Sequence, residues 1–239
     1  MQPFEMDRAA FSWFTRSWDD YVSHLPLVLS VNLVLAAVSA GSFLLMSRTH
    51  SMLPSVPYML FVLTPFTIGA NLVYIKIARG AGASFKDLFS AFPVYHRAIA
   101  VSLLLGLASL GGLFLLIIPG AIIYLAFMFS EYAVVDRKTG VKESFALSAA
   151  ITNGWKIRLF PLVMLTLAIT MSVPDIYVVT GSMKAPAAVL DLKPWTIAAA
   201  SLKTFVFLPW LSLALARAYS FLLALSGPEA GKSGRLTFW

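Results

Sequence analysis

The longest nearly uncharged stretch of the chain decides which class of fold it can adopt. Residues 98–135 contain one charged side chain, that of Glu131. As a single α-helix this stretch would be about 57 Å long, almost twice the roughly 30 Å thickness of bilayer hydrocarbon. Pro119 and Gly120 lie near its middle, and this pair favours a turn. The stretch therefore predicts a hairpin of two membrane-crossing helices with its turn at Pro119 and Gly120.

The composition extends this interpretation to the whole chain. Hydrophobic residues make up 59% of it and charged residues 12%, whereas a soluble domain carries about 25% charged residues. We therefore expect hydrocarbon to surround most of the polypeptide. The predicted fold is all-α, a polytopic six-helix transmembrane bundle in one domain, residues 1–226, followed by a short cytoplasmic tail, residues 227–239. The predicted spans are about residues 25–46, 57–77, 98–118, 121–135, 159–179 and 195–225.

The basic residues predict the orientation of the bundle. Fourteen of the 18 Lys and Arg side chains fall on the side of the amino terminus and four on the other side. Basic residues are retained on the cytoplasmic side, so both termini are expected in the cytoplasm. The larger group is Arg8, Arg16, Lys76, Arg79, Lys86, Arg97, Arg137, Lys138, Lys142, Lys156, Arg158, Arg217, Lys232 and Arg235, and the smaller is Arg48, Lys184, Lys193 and Lys203.

An internal repeat precedes the odd-numbered spans. Aromatic residues recur at helical spacing in front of spans one and three, opposite charged residues, and a weaker pattern occupies residues 141–149. Aligning Phe11 with Phe85 and Phe145 brings the starts of all three odd spans into register. This predicts three repeats of an amphipathic interfacial helix followed by a helical hairpin. Any amphipathic linker gives a similar pattern, and that alternative stays open. The first two predicted interfacial helices contain Phe11, Phe14 and Trp18, and Phe85, Phe89 and Phe92.

Ionisable residues inside predicted spans are candidate functional residues, because a charge at mid-bilayer costs at least about 2.5 to 3.5 kcal/mol. Glu131 and Arg217 both lie toward the cytoplasmic ends of their spans. Our hypothesis is that they form an ion pair across the bundle, with a packing role or a proton or substrate relay as alternatives. Lys203 is close enough to the far end of span six to extend its ammonium group to the membrane surface.

Prolines in two spans predict kinks. Pro65 and Pro209 each remove a backbone donor from a predicted span. Asn71 lies within two turns of Pro65, and broken helices with nearby polar groups form mid-membrane sites in many transporters. Simple kinks and an asparagine that hydrogen-bonds between helices are the alternative interpretation.

Several short motifs lie in residues 72–162 and in the last span. They are Ala78-Arg79-Gly80 followed by Ser84-Phe85-x-x-Leu88-Phe89, Ile118-Pro119-Gly120, Val135-Asp136, the helix around 143–148 leading to Gly154-Trp155, and Arg217-Ala218-Tyr219. These motifs resemble those of the YciC-like bacterial membrane proteins, relatives of the membrane domain fused to glycerophosphoryl diester phosphodiesterases. The resemblance implies a six-span protein of the bacterial inner membrane and supplies no catalytic residues.

Three classes of function remain. The first is a non-enzymatic membrane protein that organises or assists other membrane components or lipid, with anionic headgroups, other membrane proteins or further copies of itself as partners. The second is a transporter or channel for a small or amphipathic solute. An enzyme is disfavoured because the chain has no cysteine, no histidine cluster and no paired carboxylates. We expect neither a cofactor nor a nucleic-acid partner, and the phosphate-loop-like residues 227–233 are one residue too short for that motif.

Overall fold

A computed structural model describes residues 3–115, 117–182 and 185–226 of the chain. Helices dominate this part, which confirms the all-α bundle. The predicted tail, residues 227–239, lies outside the described residues, and with it the phosphate-loop-like motif. The α-helices are α1 Pro3–Ser23, α2 Leu25–Thr49, α3 Ser55–Tyr58, α4 Thr64–Arg79, α5 Tyr95–Leu115, α6 Ile117–Phe127, α7 Ser130–Asp136, α8 Val141–Thr152, α9 Lys156–Ser172, α10 Pro194–Leu202 and α11 Leu208–Ser226.

Five helical segments within the described residues are long and apolar enough to cross a membrane, and a sixth is obtained if α8 and α9 form one bent span. The axes of α8 and α9 differ by 108°. This number of apolar helices is that of a multi-pass membrane protein. The five segments are Leu25–Thr49, Ser55–Arg79, Phe85–Gly112, Pro119–Asp136 and Pro194–Ser226.

The hairpin between α5 and α6 turns earlier than predicted. Helix α6 begins at Ile117, so Pro119 and Gly120 lie in its first turn and not in the connection. Proline suits a first helical turn because the N–H it lacks would have no partner there. A Cβ atom on Gly112 would lie 2.7 Å from the Cα atom of Gly120, so the two glycines let α5 and α6 approach closely.

The fifth predicted span was too long, because α9 ends at Ser172. An antiparallel β-hairpin that the sequence did not predict follows it, formed by β1 Tyr177–Ser182 and β2 Ala185–Leu190, with Tyr177 opposite Leu190. The first strand contains β-branched residues, which favour extended backbone. We call this end of the bundle the β-hairpin end.

Three consecutive units can be followed along the bundle: unit 1, residues 3–79, unit 2, residues 85–136, and unit 3, residues 141–226. Each starts with a leading helical segment, which is 21 residues long in unit 1, and continues into two further helical stretches. The main core lies between the last helices of the three units, α4, α7 and α11, where Phe129 and Tyr219 are fully buried.

The two predicted interfacial helices differ from the expected form. Helix α1 buries Trp13, Ser17 and Tyr21 against the bundle, while Phe11 is 70% exposed and Trp18 is 44% exposed. Phe14 packs edge-on against Trp210. The second helix is replaced by two 3₁₀ turns, Phe85–Phe89 and Phe92–Val94, since Pro93 cannot donate the backbone hydrogen bond of a continuous helix. These turns bury Leu88 and leave Phe85, Phe89 and Phe92 between 40% and 45% exposed.

Candidate functional site

Helices α4, α7 and α11 meet in an ion-paired cluster at one end of the bundle. The guanidinium of Arg79 donates two hydrogen bonds to the carboxylate of Asp136, at 2.7 Å and 2.9 Å. The Tyr219 hydroxyl donates to the same carboxylate at 3.0 Å, and Arg79 Nε donates to Ser220 Oγ at 3.2 Å. We call these four residues the Arg79 cluster and this end the cluster end. A bidentate arginine–carboxylate pair fixes orientation as well as distance, so the cluster determines how the three helices meet.

Aromatic rings lie directly beneath the cluster. The ring centroids of Phe129, Tyr132 and Tyr219 are 5.5 to 5.6 Å apart, and the Arg79 guanidinium lies 5.7 Å from the centre of the Tyr219 ring. The side chain of Asp136 is only 9% exposed, and that of Arg79 is 33% exposed. Because little water reaches this carboxylate, its attraction to Arg79 is weakly screened, and loss of either partner leaves the other poorly solvated.

Motif residues that are far apart in the sequence converge in this cluster. Arg79, Asp136 and Tyr219 come from three of the motifs that carry the family resemblance, and 57 and 83 residues separate the hydrogen-bonded pairs. Trp155, from a fourth motif, packs against Trp13 and Phe221 at the same end. These motif residues therefore have a common structural role, which is to join the three units.

The structure does not bring Glu131 and Arg217 together. Arg217 pairs instead with Asp20 of α1, and its Nη2 atom lies 2.6 Å from Asp20 Oδ1. Glu131 accepts a hydrogen bond from the hydroxyl of Ser102 on α5. Asp20 lies in the segment that precedes the predicted spans, so the polar residues within the spans do not indicate this partner.

Lys203, whose ammonium group was predicted to extend to the membrane surface, is buried within the bundle. Its side chain is 3% exposed, and its ammonium group lies 2.8 Å from Asp175 and donates to the carbonyl of Val173 at 2.9 Å. Val173 directly follows α9, where a cation interacts favourably with the carbonyl end of the helix dipole. Lys203 thus ties α9 to the last span at the β-hairpin end.

Both predicted kinks combine a π-helical turn with a proline. A π-helical turn, Met59–Leu63, ends two residues before Pro65, and another, Lys203–Phe207, ends two residues before Pro209. Each proline leaves the carbonyl four residues earlier without its normal helical donor. Tyr95 donates its hydroxyl to the carbonyl of Phe61 at 2.6 Å. Likewise, Tyr21 donates its hydroxyl to the carbonyl of Phe205 at 2.9 Å.

The last span of unit 2 is also interrupted, between α6 and α7. The carbonyl of Ala126 accepts hydrogen bonds from Ser148 at 2.8 Å and from Thr152 at 3.2 Å, both on α8. The backbone N–H of Phe129 donates to the same Ser148 hydroxyl at 3.1 Å. Side-chain hydroxyls from a neighbouring unit therefore satisfy backbone groups at all three interruptions.

These contacts close a ring. A backbone carbonyl in the interrupted span of unit 1 accepts a hydrogen bond from Tyr95 of unit 2. A carbonyl in the interrupted span of unit 2 accepts one from α8 of unit 3. A carbonyl in the interrupted span of unit 3 accepts one from Tyr21 of unit 1. Tyr21 and Tyr95 are equivalent in the register that aligns Phe11 with Phe85. We call the three contacts the hydroxyl ring. The matching register of the two tyrosines was a sequence signal that could have predicted two of its members.

Around Pro65 the structure shows close packing. A Cβ atom on Gly69 would lie 1.8 Å from the carbonyl oxygen of Leu88, so glycine is needed for α4 to contact the first 3₁₀ turn. Asn71 is half-buried, and its side chain forms no hydrogen bond with the residues that the structure describes. The asparagine that links helices is Asn32, which donates to the Tyr74 hydroxyl at 2.9 Å.

A cleft of about 390 Å³ lies between the α5–α6 hairpin and α9, with Leu215 of α11 at its base. Its lining includes Ser109, Tyr124, Phe160 and Leu167, and none of the predicted residues Asn71, Glu131 and Arg217. Across the described ranges, no group of three or more His, Asp or Glu side chains is placed to hold a metal ion.

The comparisons with known proteins supply no relative. No family model, no curated protein and no solved structure matches this chain.

Proposed function

We propose that this chain is a non-enzymatic, YciC-like protein of the bacterial inner membrane that organises or assists lipid or other membrane components. The observation that carries this proposal is the hydroxyl ring. Transporters bind solutes at helix interruptions, where free backbone groups face a cavity. In this protein the hydroxyls of Tyr21, Tyr95 and Ser148 donate hydrogen bonds to backbone carbonyls at the interruptions instead.

The distribution of charge supports a role at the membrane surface. Ion pairs within the chain engage Arg79 and Arg217, while Arg137, Lys138 and Lys142 are exposed beside the Arg79 cluster. Exposed cations close to a membrane attract anionic headgroups by about 1 kcal/mol each. The cluster end is therefore proposed to face the cytoplasmic leaflet, with both termini on that side.

Topology can be tested directly because the chain has no cysteine. Lys193→Cys, at the β-hairpin end, should react with a membrane-impermeant maleimide in intact cells. Lys142→Cys should react only after the cells are permeabilised. Labelling of Lys142→Cys in intact cells would contradict the proposed orientation.

The function is tested by extracting the protein with its surrounding lipid into polymer nanodiscs and identifying the associated lipids and proteins. We expect anionic phospholipid to be enriched over bulk membrane, and this enrichment to fall in the triple variant Arg137→Gln, Lys138→Gln, Lys142→Gln. A matched variant, Lys193→Gln, should keep it. Equal lipid composition in all three samples, with no associated protein, would contradict the proposal.

A transporter remains the second candidate because two long spans carry a π-helical turn followed by a proline. Reconstituted protein should show no flux of small polar solutes above that of empty vesicles. Saturable flux that is lost in Glu131→Gln would replace the proposed function with transport.

A further inference from the structure

The cleft beside α9 is apolar although several hydroxyl-bearing residues line it. Thr166 and Thr170 donate their hydroxyls to carbonyls of their own helix, at 2.9 Å and 2.7 Å. Their hydroxyl protons are thus used within α9, and Leu110, Met164 and Leu167 supply much of the remaining surface. A polar solute would find few partners here, whereas hydrocarbon would lose nothing by entering.

The dimensions of the cleft limit what can occupy it. Along α9 it extends from Phe160 to Thr170, which corresponds to a rise of about 15 Å. That is half of the roughly 30 Å of bilayer hydrocarbon and so equals the depth of one leaflet. The cleft therefore has the length of a single acyl chain within one leaflet.

The position of the cleft indicates which leaflet supplies that chain. Thr170 lies near the last turn of α9, beside the ion pair of Lys203 and Asp175 at the β-hairpin end. Gly120, at the start of α6, lines the same end of the cleft. The opening is therefore reached from the leaflet at the β-hairpin end, away from the Arg79 cluster.

We infer that this cleft binds one acyl chain of a phospholipid from the leaflet at the β-hairpin end, an inference that rests on the proposed role in lipid organisation. The acyl chain lies along α9 between the α5–α6 hairpin and Leu215, and it fills the space that helix packing leaves open. Apolar contact along α9 provides the affinity.

A photoreactive lipid tests this inference. The full-length protein is reconstituted into vesicles of phosphatidylethanolamine and phosphatidylglycerol containing a phosphatidylethanolamine with a diazirine in its acyl chain. After illumination, peptide mapping should find the label concentrated on residues 160–170 and on the neighbouring part of α6. Ala121→Trp and Leu167→Trp, which fill the cleft, should each reduce this labelling about tenfold. Leu107→Trp, on an exposed face of α5 outside the lining, should leave it unchanged.

The outcomes separate this inference from the proposed function. Labelling spread evenly over all lipid-facing helices, labelling that both filled variants retain, or cross-links to a second copy in place of lipid would overturn the acyl-chain site. If Ala121→Trp does not fold, Leu167→Trp decides, because its side chain is already 46% exposed. Loss of cleft labelling with continued enrichment of anionic lipid would remove only this inference, whereas solute flux would remove the proposed function.

Discussion

The two sides of the bundle are held together in different ways. Where α4, α7 and α11 meet, an arginine–carboxylate pair, a tyrosine hydroxyl and stacked aromatic rings join all three units. Between the α5–α6 hairpin and α9, the helices leave a cleft of about 390 Å³ with an apolar lining. Polar contacts therefore specify one side of the bundle, while the other side is shaped to leave room for hydrocarbon.

The largest effect is expected on the closely packed side, for Gly69→Ala. The added methyl group would fall 1.8 Å from a backbone carbonyl oxygen, which cannot move without displacing the first 3₁₀ turn. We expect a loss of about 3 kcal/mol or more in the free energy of unfolding, measured by denaturant titration in detergent. Gly106→Ala is the control, since no atom lies within 4 Å of its Cβ position. Equal stabilities of the two variants would contradict the packing argument.

Asp136→Asn should have the next largest effect. It leaves the guanidinium of Arg79 without its carboxylate, at a cost of about 2 kcal/mol, below the usual value for a buried pair because Arg79 is one-third exposed. A double-mutant cycle with Arg79→Gln measures the coupling. The comparison is Lys193→Gln, which breaks an exposed pair and should change stability by about 0.5 kcal/mol or less. Additive effects in the cycle would show that the Arg79 cluster does not join the units.

Tyr21→Phe should cost about 1 kcal/mol, because it removes the donor to the carbonyl of Phe205. The same substitution should cost less in a Pro209→Ala background, since the restored backbone N–H can serve that carbonyl. In unit 1, Tyr95→Phe should likewise cost less stability in a Pro65→Ala background than in the unmodified protein. A cost for Tyr21→Phe that is independent of residue 209 would contradict the hydroxyl ring.

The smallest effect is expected at the cleft, where Ser109→Ala should be neutral or stabilising by up to about 1 kcal/mol. The Ser109 hydroxyl is enclosed and has no hydrogen-bond partner among the described residues. Ser148→Ala, which removes a hydroxyl that both donates and accepts, should instead be destabilising. Thermal unfolding of the two variants measures each change in stability. Destabilisation of the protein by Ser109→Ala as large as that by Ser148→Ala would contradict this prediction.

Hydropathy predicted the helical bundle because a span is a local property of about 20 residues. Apolar helical segments lie close to the ranges predicted for the first, second and last spans. The end of span five was misplaced because apolar, β-branched residues resume in β1 after Pro174 and Asp175, and hydropathy does not distinguish a strand from a helix there.

The candidate site was predicted less well because its contacts are not local. Arg79 and Asp136 are 57 residues apart, and Arg217 and Asp20 are 197 residues apart. No pattern within a single span indicates which carboxylate an arginine will contact. The kinks at Pro65 and Pro209 could be predicted from residue type alone, but their tyrosine donors require the packing of different units.

The hydroxyl ring has a consequence for the order in which the protein can be completed. Tyr21 is synthesised 184 residues before Phe205, the residue whose carbonyl it contacts. During translation the first helix must therefore remain available until the final pair of spans has been inserted. The contact between Tyr21 and Phe205 therefore forms late in synthesis, and a chain that ends before Phe205 cannot form it.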